Sequence, residues 1–204
     1  MIWNAPNILT VLRLVLIPLF IVAYHLPYKN ANILAAVLFI IAAITDWLDG
    51  YLARRLGQHS HFGAFLDPVA DKLMVAAALV MLVADPEIYG AVYDGRLFAI
   101  VVVVIVGREI TVSALREWMA EYGKRSRVAV SFVGKVKTTA QMLAIPFLLW
   151  REDLLGLPVL HIGEVLLYVA GGLTLWSMLV YLRIAWADLL HPDRAAADRA
   201  QGRP

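Results

Sequence analysis

The sequence contains no cysteine and little charge, and these two shortages set the first limits on what the protein is. Without cysteine, neither a disulfide framework nor thiol chemistry needs to be considered. Charged residues make up only 17% of the 204 residues, and the net charge of +2 is too mild to indicate a nucleic-acid partner. Hydrophobic residues account for 61% of the chain. This composition indicates an integral membrane protein.

The apolar residues fall into segments that approach the ~20 residues a helix needs to cross a bilayer. They predict an all-α fold, an integral membrane bundle of six helices. Residues 3–7 are expected to form a short interfacial segment that turns at Pro6 into the first span. Residues 1–190 are predicted to form one transmembrane catalytic domain, and residues 191–204 a polar C-terminal tail. The predicted helices cover residues 8–26, 32–54, 63–84, 97–119, 128–150 and 162–188.

Basic residues are distributed unevenly between the two ends of these helices. If the N-terminus lies inside, Lys29, Arg96 and Arg151 are the basic residues on the outer side, and all others of the 18 lie on the inner side. Basic residues are retained on the cytoplasmic side of a membrane. We therefore expect both termini, and the polar groups gathered at the inner helix ends, to face the cytoplasm.

Four aspartates mark the inner ends of the second and third predicted helices. Asp46 and Asp49 are spaced i,i+3, and Asp67 and Asp71 are spaced i,i+4, so that each pair shares one helix face. Acids beside such apolar segments repel one another and are costly to desolvate unless cations lie between them. Carboxylate oxygens suit a hard divalent ion such as Mg²⁺ or Mn²⁺. The alternative is a structural role, with acids paired to arginines inside the bundle.

Small and basic residues accompany the aspartates. Gly50 lies one turn after Asp46 and Ala53 one turn after Asp49, which clears the same helix face for a bulky ligand. On the first helix, Asn7, Thr10 and Arg13 recur every three residues and share a face. Arg13 is a charge inside an apolar run. It either faces the carboxylates or a substrate phosphate, or pairs with an acid for structure.

The complete pattern D-x₂-D-G-x₂-A-R-x₈-G-x₃-D-x₃-D, over residues 46–71, resembles the signature of the CDP-alcohol phosphatidyltransferases. The resemblance extends to residues 4–13, 113–121 and 134–142, which are similar to the phosphatidylglycerophosphate-forming branch of the family. It implies transfer of the phosphatidyl group of CDP-diacylglycerol to the primary hydroxyl of sn-glycerol 3-phosphate, with release of CMP. It also implies a homodimer among membrane lipids.

The resemblance assigns roles residue by residue. Asp46, Asp49, Asp67 and Asp71 are expected to bind metal, in two sites, and Asp71 is expected to be the general base. The residues expected on the CDP-lipid side are Asn7, Thr10, Arg13, Asp46, Gly50, Ala53 and Arg54.

The acceptor phosphate needs cations, and the fourth and fifth helices offer several. Arg108 and Lys135 are the favoured candidates, with Arg116, Lys137 and Thr138 less certain. Lys135 and Lys137 are about 200° apart on an ideal helix, so one can face a cavity while the other reaches the interface.

Other functions remain open from the residues alone. Basic residues favour a phosphorylated acceptor but do not choose among alcohols, so inositol phosphate, serine and phosphatidylglycerol are alternatives. An ion or phosphate transporter also places charges inside a bundle. An inactive scaffold would tolerate the loss of the aspartates.

Overall fold

The computed structural model of the chain describes residues 5–56, 61–121 and 132–190. Within these ranges, the structure describes the backbone but not the side chains of some residues, most of them near helix ends. Ala53, Arg54 and Arg116 are among them. The described residues form seven helices and no strand beyond an isolated bridge between Leu154 and Leu157. The helices are α1 (Ala5–Tyr24), α2 (Ala31–Leu56), α3 (His61–Ala84), α4 (Pro86–Ala91), α5 (Gly95–Glu121), α6 (Phe132–Trp150) and α7 (Val159–Leu190).

The all-α prediction is confirmed, and the six long helices follow the six predicted segments in order. The ends differ by a few residues. α1 already includes residues 5–7, so the chain is helical before the turn predicted at Pro6, and a proline is tolerated in a first helical turn. Residues 1–4, the start of the fifth predicted segment (128–131) and the predicted tail (191–204) lie outside the described residues.

The sequence prediction missed the short helix α4. Asp85 caps it, because the side chain accepts hydrogen bonds from the backbone N–H groups of Glu87 (2.8 Å) and Ile88 (3.4 Å). Pro86 follows at the first helical position, where its missing N–H is not needed. An Asp-Pro-Glu sequence is therefore a local helix-start signal, and it was hidden by the search for segments of membrane-spanning length.

Four of the helices are long and apolar enough to cross a membrane. Helices α3, with 24 residues, and α6, with 19, are not among these four; α3 carries Asp67, Asp71 and Lys72, and α6 carries Lys135 and Lys137. The candidate spans are Asn7–Tyr24, Ala31–Leu52, Gly95–Leu115 and Val159–Val180.

Large apolar side chains lie on both sides of these helices. Phe20, Phe39 and Phe98 are buried where α1, α2 and α5 face the core. Val22 and Val103 are largely exposed on the outer faces. Outward faces this apolar would be unfavourable in water and are the usual surface toward lipid. The chain is a membrane protein.

Two glycines of α7 allow its neighbours to approach closely. A Cβ atom at Gly163 would lie 3.0 Å from the carbonyl oxygen of Ala144 and from the backbone nitrogen of Leu148, both in α6. A Cβ atom at Gly171 would lie 2.7 Å from the side chain of Val101 in α5. Small residues at helix crossings are the usual way that membrane helices pack tightly. These contacts fix α7 against the two helices that carry the basic residues.

Arg151 ties three helices together at the end of the bundle where α4 lies, which we call the α4 end. Its guanidinium donates to Glu87 (2.7 Å), to the hydroxyl of Tyr24 (2.9 Å) and to Asp85. The Tyr24 hydroxyl also donates to Asp85 (2.7 Å). The end of α1, the start of α4 and the residue after α6 are thus held by one charged network.

Asp85 is the carboxylate at the centre of this network. Burial alone would raise its pKa, but hydrogen bonds from Tyr24 and from the Glu87 N–H, with the charge of Arg151, outweigh burial and hold the pKa below its ordinary value. A lowered pKa in the folded state means that ionised Asp85 stabilises the fold. This contribution is complete above the unfolded pKa of about 3.9 and is lost as the pH falls through the folded pKa.

We predict that Asp85→Asn lowers the free energy of unfolding at pH 7 by about 1–3 kcal/mol, the usual range for hydrogen bonds to a charged group. The difference from the unmodified protein should shrink as the pH falls below about 3.9. Thermal unfolding of the purified protein across this pH range measures both effects. Asp153→Asn is the matched control, because Asp153 is exposed at the same end. A difference that stays constant with pH contradicts the prediction.

Candidate active site

Arg13 lies at the centre of the opposite end of the bundle, which we call the aspartate end. It is in the third turn of α1 and is only 1% exposed. Its Nη1 atom lies 2.6 Å from Oδ1 of Asp46, and its Nη2 atom donates to Asp49. Asp49 is itself 4% exposed. A buried guanidinium is therefore paired with both acids of the predicted pair on α2, and its single positive charge offsets only one of their two negative charges.

The acids of α3 approach the same place from another side. Thr10, one turn before Arg13, donates from Oγ1 to Oδ1 of Asp67 over 2.5 Å. Asp71 lines a narrow cavity of about 10 Å³ together with Arg13 and Asp46. The shared face of α1 that the sequence indicates is thus turned toward both aspartate pairs. Arg13 was expected either to face the carboxylates or to pair with an acid. In the structure it does both, because it pairs with Asp46 and Asp49 and also lines the narrow cavity.

The aspartates do not form a ready-made metal site. Among the residues that the structure describes, no three acidic, histidine or cysteine side chains form a group that could hold a metal ion. Arg13 and Thr10 instead make direct contacts with the acids of α2 and α3. Asn7 is buried on the face of α1 that carries Thr10 and Arg13, and Gly50 is half-buried in α2.

A larger cavity of about 320 Å³ adjoins this cluster between α3, α5 and α6. Asp71 is on its wall, as it is on the wall of the narrow cavity, so one carboxylate faces both. Much of the remaining wall is apolar. The polar side chains that line the larger cavity are Asp71, Lys72, Arg108, Glu109, Lys137, Thr138 and Gln141.

Two of the three cations that line the larger cavity, Arg108 and Lys137, are held by one carboxylate. Lys137 donates from Nζ to Oε1 of Glu109 over 2.6 Å, and Arg108 donates from Nη1 to the same oxygen over 3.0 Å. Arg108 also donates from Nη2 to Oγ of Ser177 in α7 over 3.3 Å. Helices α5, α6 and α7 are therefore joined through these polar contacts around the cavity.

The structure distinguishes the two lysines at the start of α6. Lys137 is buried and lines the larger cavity, whereas Lys135 is exposed and is not part of the described wall. The helix geometry predicted that they face different ways, but it gave no reason to choose Lys137. Thr138 lines the cavity as well. The side chains of Ala53, Arg54 and Arg116 lie outside the description, so their expected roles stay predictions.

Sequence reasoning did not assign a role to Glu109, Gln141 or Ser177. Glu109 follows Arg108 directly, and Gln141 lies one turn after Lys137 on the same face of α6. That spacing was a usable signal for Gln141. Nothing in the sequence signals Ser177, because its contact with Arg108 joins residues 69 positions apart.

Aromatic and basic side chains lie on the outer face of α2, at the level of Asp46 and Asp49. Trp47 and Tyr51 stack on the outer face of α2, with ring centroids 5.7 Å apart and planes at 11°. The Arg55 guanidinium lies 5.9 Å from the Tyr51 ring and donates to its hydroxyl over 3.1 Å. We call these three residues the α2 ladder. Aromatic and basic side chains of this kind are typical of the interface between hydrocarbon and headgroups.

Fold and site together define a helical membrane protein with a partly buried acidic cluster beside a cavity that contains basic side chains. The family model of CDP-alcohol phosphatidyltransferase matches residues 3–176, and the chain belongs to this family. The resemblance carried by the aspartate signature is thereby confirmed.

The chain is also similar to individual members of the family over nearly their whole length. The CDP-diacylglycerol–glycerol-3-phosphate 3-phosphatidyltransferase of Pectobacterium atrosepticum is 53% identical over 190 residues, 93% of this chain and 99% of that protein. Proteins of the same name from Salmonella paratyphi A and Shigella flexneri serotype 5b are 52% and 50% identical over 188 residues. Each alignment covers 92% of this chain and 98% of the relative.

We predict that Arg13→Met lowers the free energy of unfolding, measured with a metal chelator present, by about 3–5 kcal/mol, because it leaves buried acids without their cation. Adding Asp49→Asn should recover part of this loss, so that the double variant loses less than the sum of the single variants. Denaturant unfolding of the purified proteins measures the difference. Arg55→Met, which removes an exposed arginine of α2, is the control. Additive losses for Arg13 and Asp49 contradict the prediction.

Proposed function

We propose that this protein transfers the phosphatidyl group of CDP-diacylglycerol to the primary hydroxyl of sn-glycerol 3-phosphate. The products are phosphatidylglycerophosphate and CMP, and the protein is an enzyme of phospholipid biosynthesis. The observation that carries the proposal is that Asp71 faces both the aspartate cluster and the cavity with Arg108 and Lys137. Relatives that are 50–53% identical and carry the name of this activity support it.

The proposed arrangement in the membrane has six spans, with both termini and the aspartate end on the cytoplasmic side of a bacterial inner membrane. The distribution of basic residues supports this orientation. The α4 end, with Asp85 and Glu87 beside Arg151, then lies on the outer side. The proposed catalytic domain is residues 1–190, followed by a polar tail, and the proposed assembly is a homodimer surrounded by lipid.

Asp46, Asp49, Asp67 and Asp71 would hold the divalent metal, Mg²⁺ or Mn²⁺, in two sites. The donor set supports this, because it consists of carboxylate oxygens, the ligands that hard cations prefer. The present contacts of Arg13 with Asp46 and Asp49 indicate that these acids require positive charge. Bound metal would neutralise the diphosphate of the CDP-lipid as its charge develops.

The chain's own residues divide the work between two sides. On the CDP-lipid side, Asn7, Thr10 and Arg13 offer polar groups from α1, and α2 offers the small residues Gly50 and Ala53 beside Arg54. On the acceptor side, we propose that Arg108, Lys137 and Thr138 bind the phosphate, since they line the larger cavity. Lys135 and Arg116 remain candidates for the same role.

Asp71 is proposed as the general base because of its place between the two cavities. The acceptor hydroxyl would lose its proton to the Asp71 carboxylate as its oxygen attacks the phosphorus atom next to diacylglycerol. The bond to CMP breaks in the same displacement. Apolar wall residues of the larger cavity, such as Ile105 and Met142, limit the access of water that would otherwise compete as acceptor.

The remaining candidate functions differ in what they produce. Two cations in the larger cavity favour a phosphorylated acceptor such as inositol phosphate over serine. A transporter predicts flux without products, and an inactive scaffold predicts neither. One assay separates them: purified protein, CDP-diacylglycerol, Mg²⁺ and a panel of alcohols, with release of CMP measured. CMP release that depends on sn-glycerol 3-phosphate is expected, and no release with any alcohol contradicts the proposal.

We predict that Asp71→Asn lowers kcat at least about 10³-fold, because a general base contributes about 10²–10⁴-fold and the amide cannot accept the proton. The variant should remain folded and should still bind CMP. Turnover is measured as CMP released, and nucleotide binding by calorimetry. Asp153→Asn, at the opposite end, is the control. Turnover of Asp71→Asn near that of the unmodified enzyme refutes the assignment of the base.

We predict that Arg108→Ala raises the KM for sn-glycerol 3-phosphate about 10–100-fold, the equivalent of a lost hydrogen bond to a charged group. The KM for CDP-diacylglycerol should change far less. Initial rates at varied concentrations of each substrate separate the two effects. Arg96→Ala, which removes an arginine at the start of α5, is the control. An equal rise in both KM values places Arg108 outside the acceptor site.

A further inference from the structure

Glu109 occupies an unusual position in the larger cavity, between the two cations proposed to bind the acceptor. A single oxygen, Oε1, accepts from Lys137 Nζ at 2.6 Å and from Arg108 Nη1 at 3.0 Å. Lys137 and Arg108 come from different helices and carry like charges on side chains that are almost fully buried. Such a pair repels unless an anion lies between them. The carboxylate of Glu109 supplies that anion from within the chain.

The three side chains differ in their exposure. Glu109 is 28% exposed, whereas Arg108 is 8% exposed and Lys137 is 3% exposed. Arg108 is also attached to Ser177 of α7. The two cations are therefore anchored in the wall. Glu109 is the most solvated member of the trio, so moving its charge into water costs the least free energy. Its carboxylate is the part of the trio that can leave.

A phosphate group would compete with Glu109 for the same partners. Its oxygens accept charge-assisted hydrogen bonds from the same two nitrogens, and both of these belong to the lining of the cavity. Carboxylate and phosphate cannot occupy the position between the nitrogens together without mutual repulsion. An arriving phosphate must therefore displace Glu109 from at least one of them.

We propose that Glu109 is a positioning residue, an internal counterion that holds Lys137 and Arg108 together before the acceptor binds and is exchanged for the phosphate of the acceptor. The proposal rests on the proposed function for the identity of that acceptor. It also gives Glu109 a role in selectivity. An anion that makes few contacts elsewhere in the cavity displaces the carboxylate less readily than a phosphate carried by a bound alcohol.

The exchange predicts an effect opposite to that of removing an ordinary binding residue. Glu109→Gln removes the negative charge that competes with phosphate. It also removes the carboxylate that pairs with both Arg108 and Lys137. Without added anion, the variant should unfold several degrees lower than the unmodified protein, and inorganic phosphate should restore most of this loss. The apparent affinity for inorganic phosphate should rise at least about fivefold, because the internal competitor is gone. Thermal unfolding with increasing inorganic phosphate measures both quantities without any turnover.

The kinetic readout separates positioning from structure. For Glu109→Gln, the KM for sn-glycerol 3-phosphate and kcat should both fall, while the KM for CDP-diacylglycerol stays unchanged. Inorganic phosphate should become a stronger inhibitor competitive with the acceptor. Glu109→Asp, which keeps the charge, should return stability and phosphate affinity toward the original values. Glu87→Gln is the matched control, since Glu87 is paired with Arg151 at the α4 end.

A loss of stability in Glu109→Gln that phosphate does not restore, or a phosphate affinity that is unchanged or lower, overturns the proposal. The outcome is independent of the proposed function. If the unmodified protein binds phosphate in the predicted way but transfers no phosphatidyl group, the function fails and the exchange stands. If transfer occurs and Glu109→Gln binds phosphate as before, the exchange fails and the function stands.

Discussion

The contacts of Arg13 with Asp46 and Asp49 are the interaction on which the aspartate end depends. Two carboxylates on one face of α2, next to the apolar core, are tolerated because a cation is brought to them by α1. The same turn of α1 presents Thr10 to Asp67 of α3. One face of α1 thus contacts acids of both α2 and α3. The direction in which those acids point follows from it.

In each of the two cavities, side chains of one charge are paired with a single side chain of the opposite charge. In the smaller one, negative side chains predominate and Arg13 balances them; in the larger one, Arg108 and Lys137 are balanced by Glu109. Each internal counterion has the sign of a group that the proposed reaction brings in, a metal cation on one side and a phosphate on the other. Asp71 lies where the two environments meet.

Sequence reasoning reached the parts of this arrangement that depend on local spacing. The six long helices follow from apolar segments, and the pairing of Asp46 with Asp49 on one face follows from helix periodicity. Properties that depend on contacts between helices were out of reach. The choice of Lys137 over Lys135 is set by how α6 is rotated against α3 and α5, and periodicity fixes only the angle between the lysines. The role of Glu109 needs α5 and α6 placed together.

The α2 ladder has a consequence for how a lipid gains entry. Trp47 and Tyr51 lie within one turn of Asp46 and Asp49, on the side of the helix that faces out of the bundle. Rings of this type settle where acyl chains give way to glycerol and phosphate. With the α2 ladder at that boundary, the acids would be level with the diphosphate of a CDP-lipid in the adjoining leaflet. Such a lipid would enter the site laterally from the membrane. Its acyl chains would stay in the bilayer, and none of its hydrocarbon would be exposed to water.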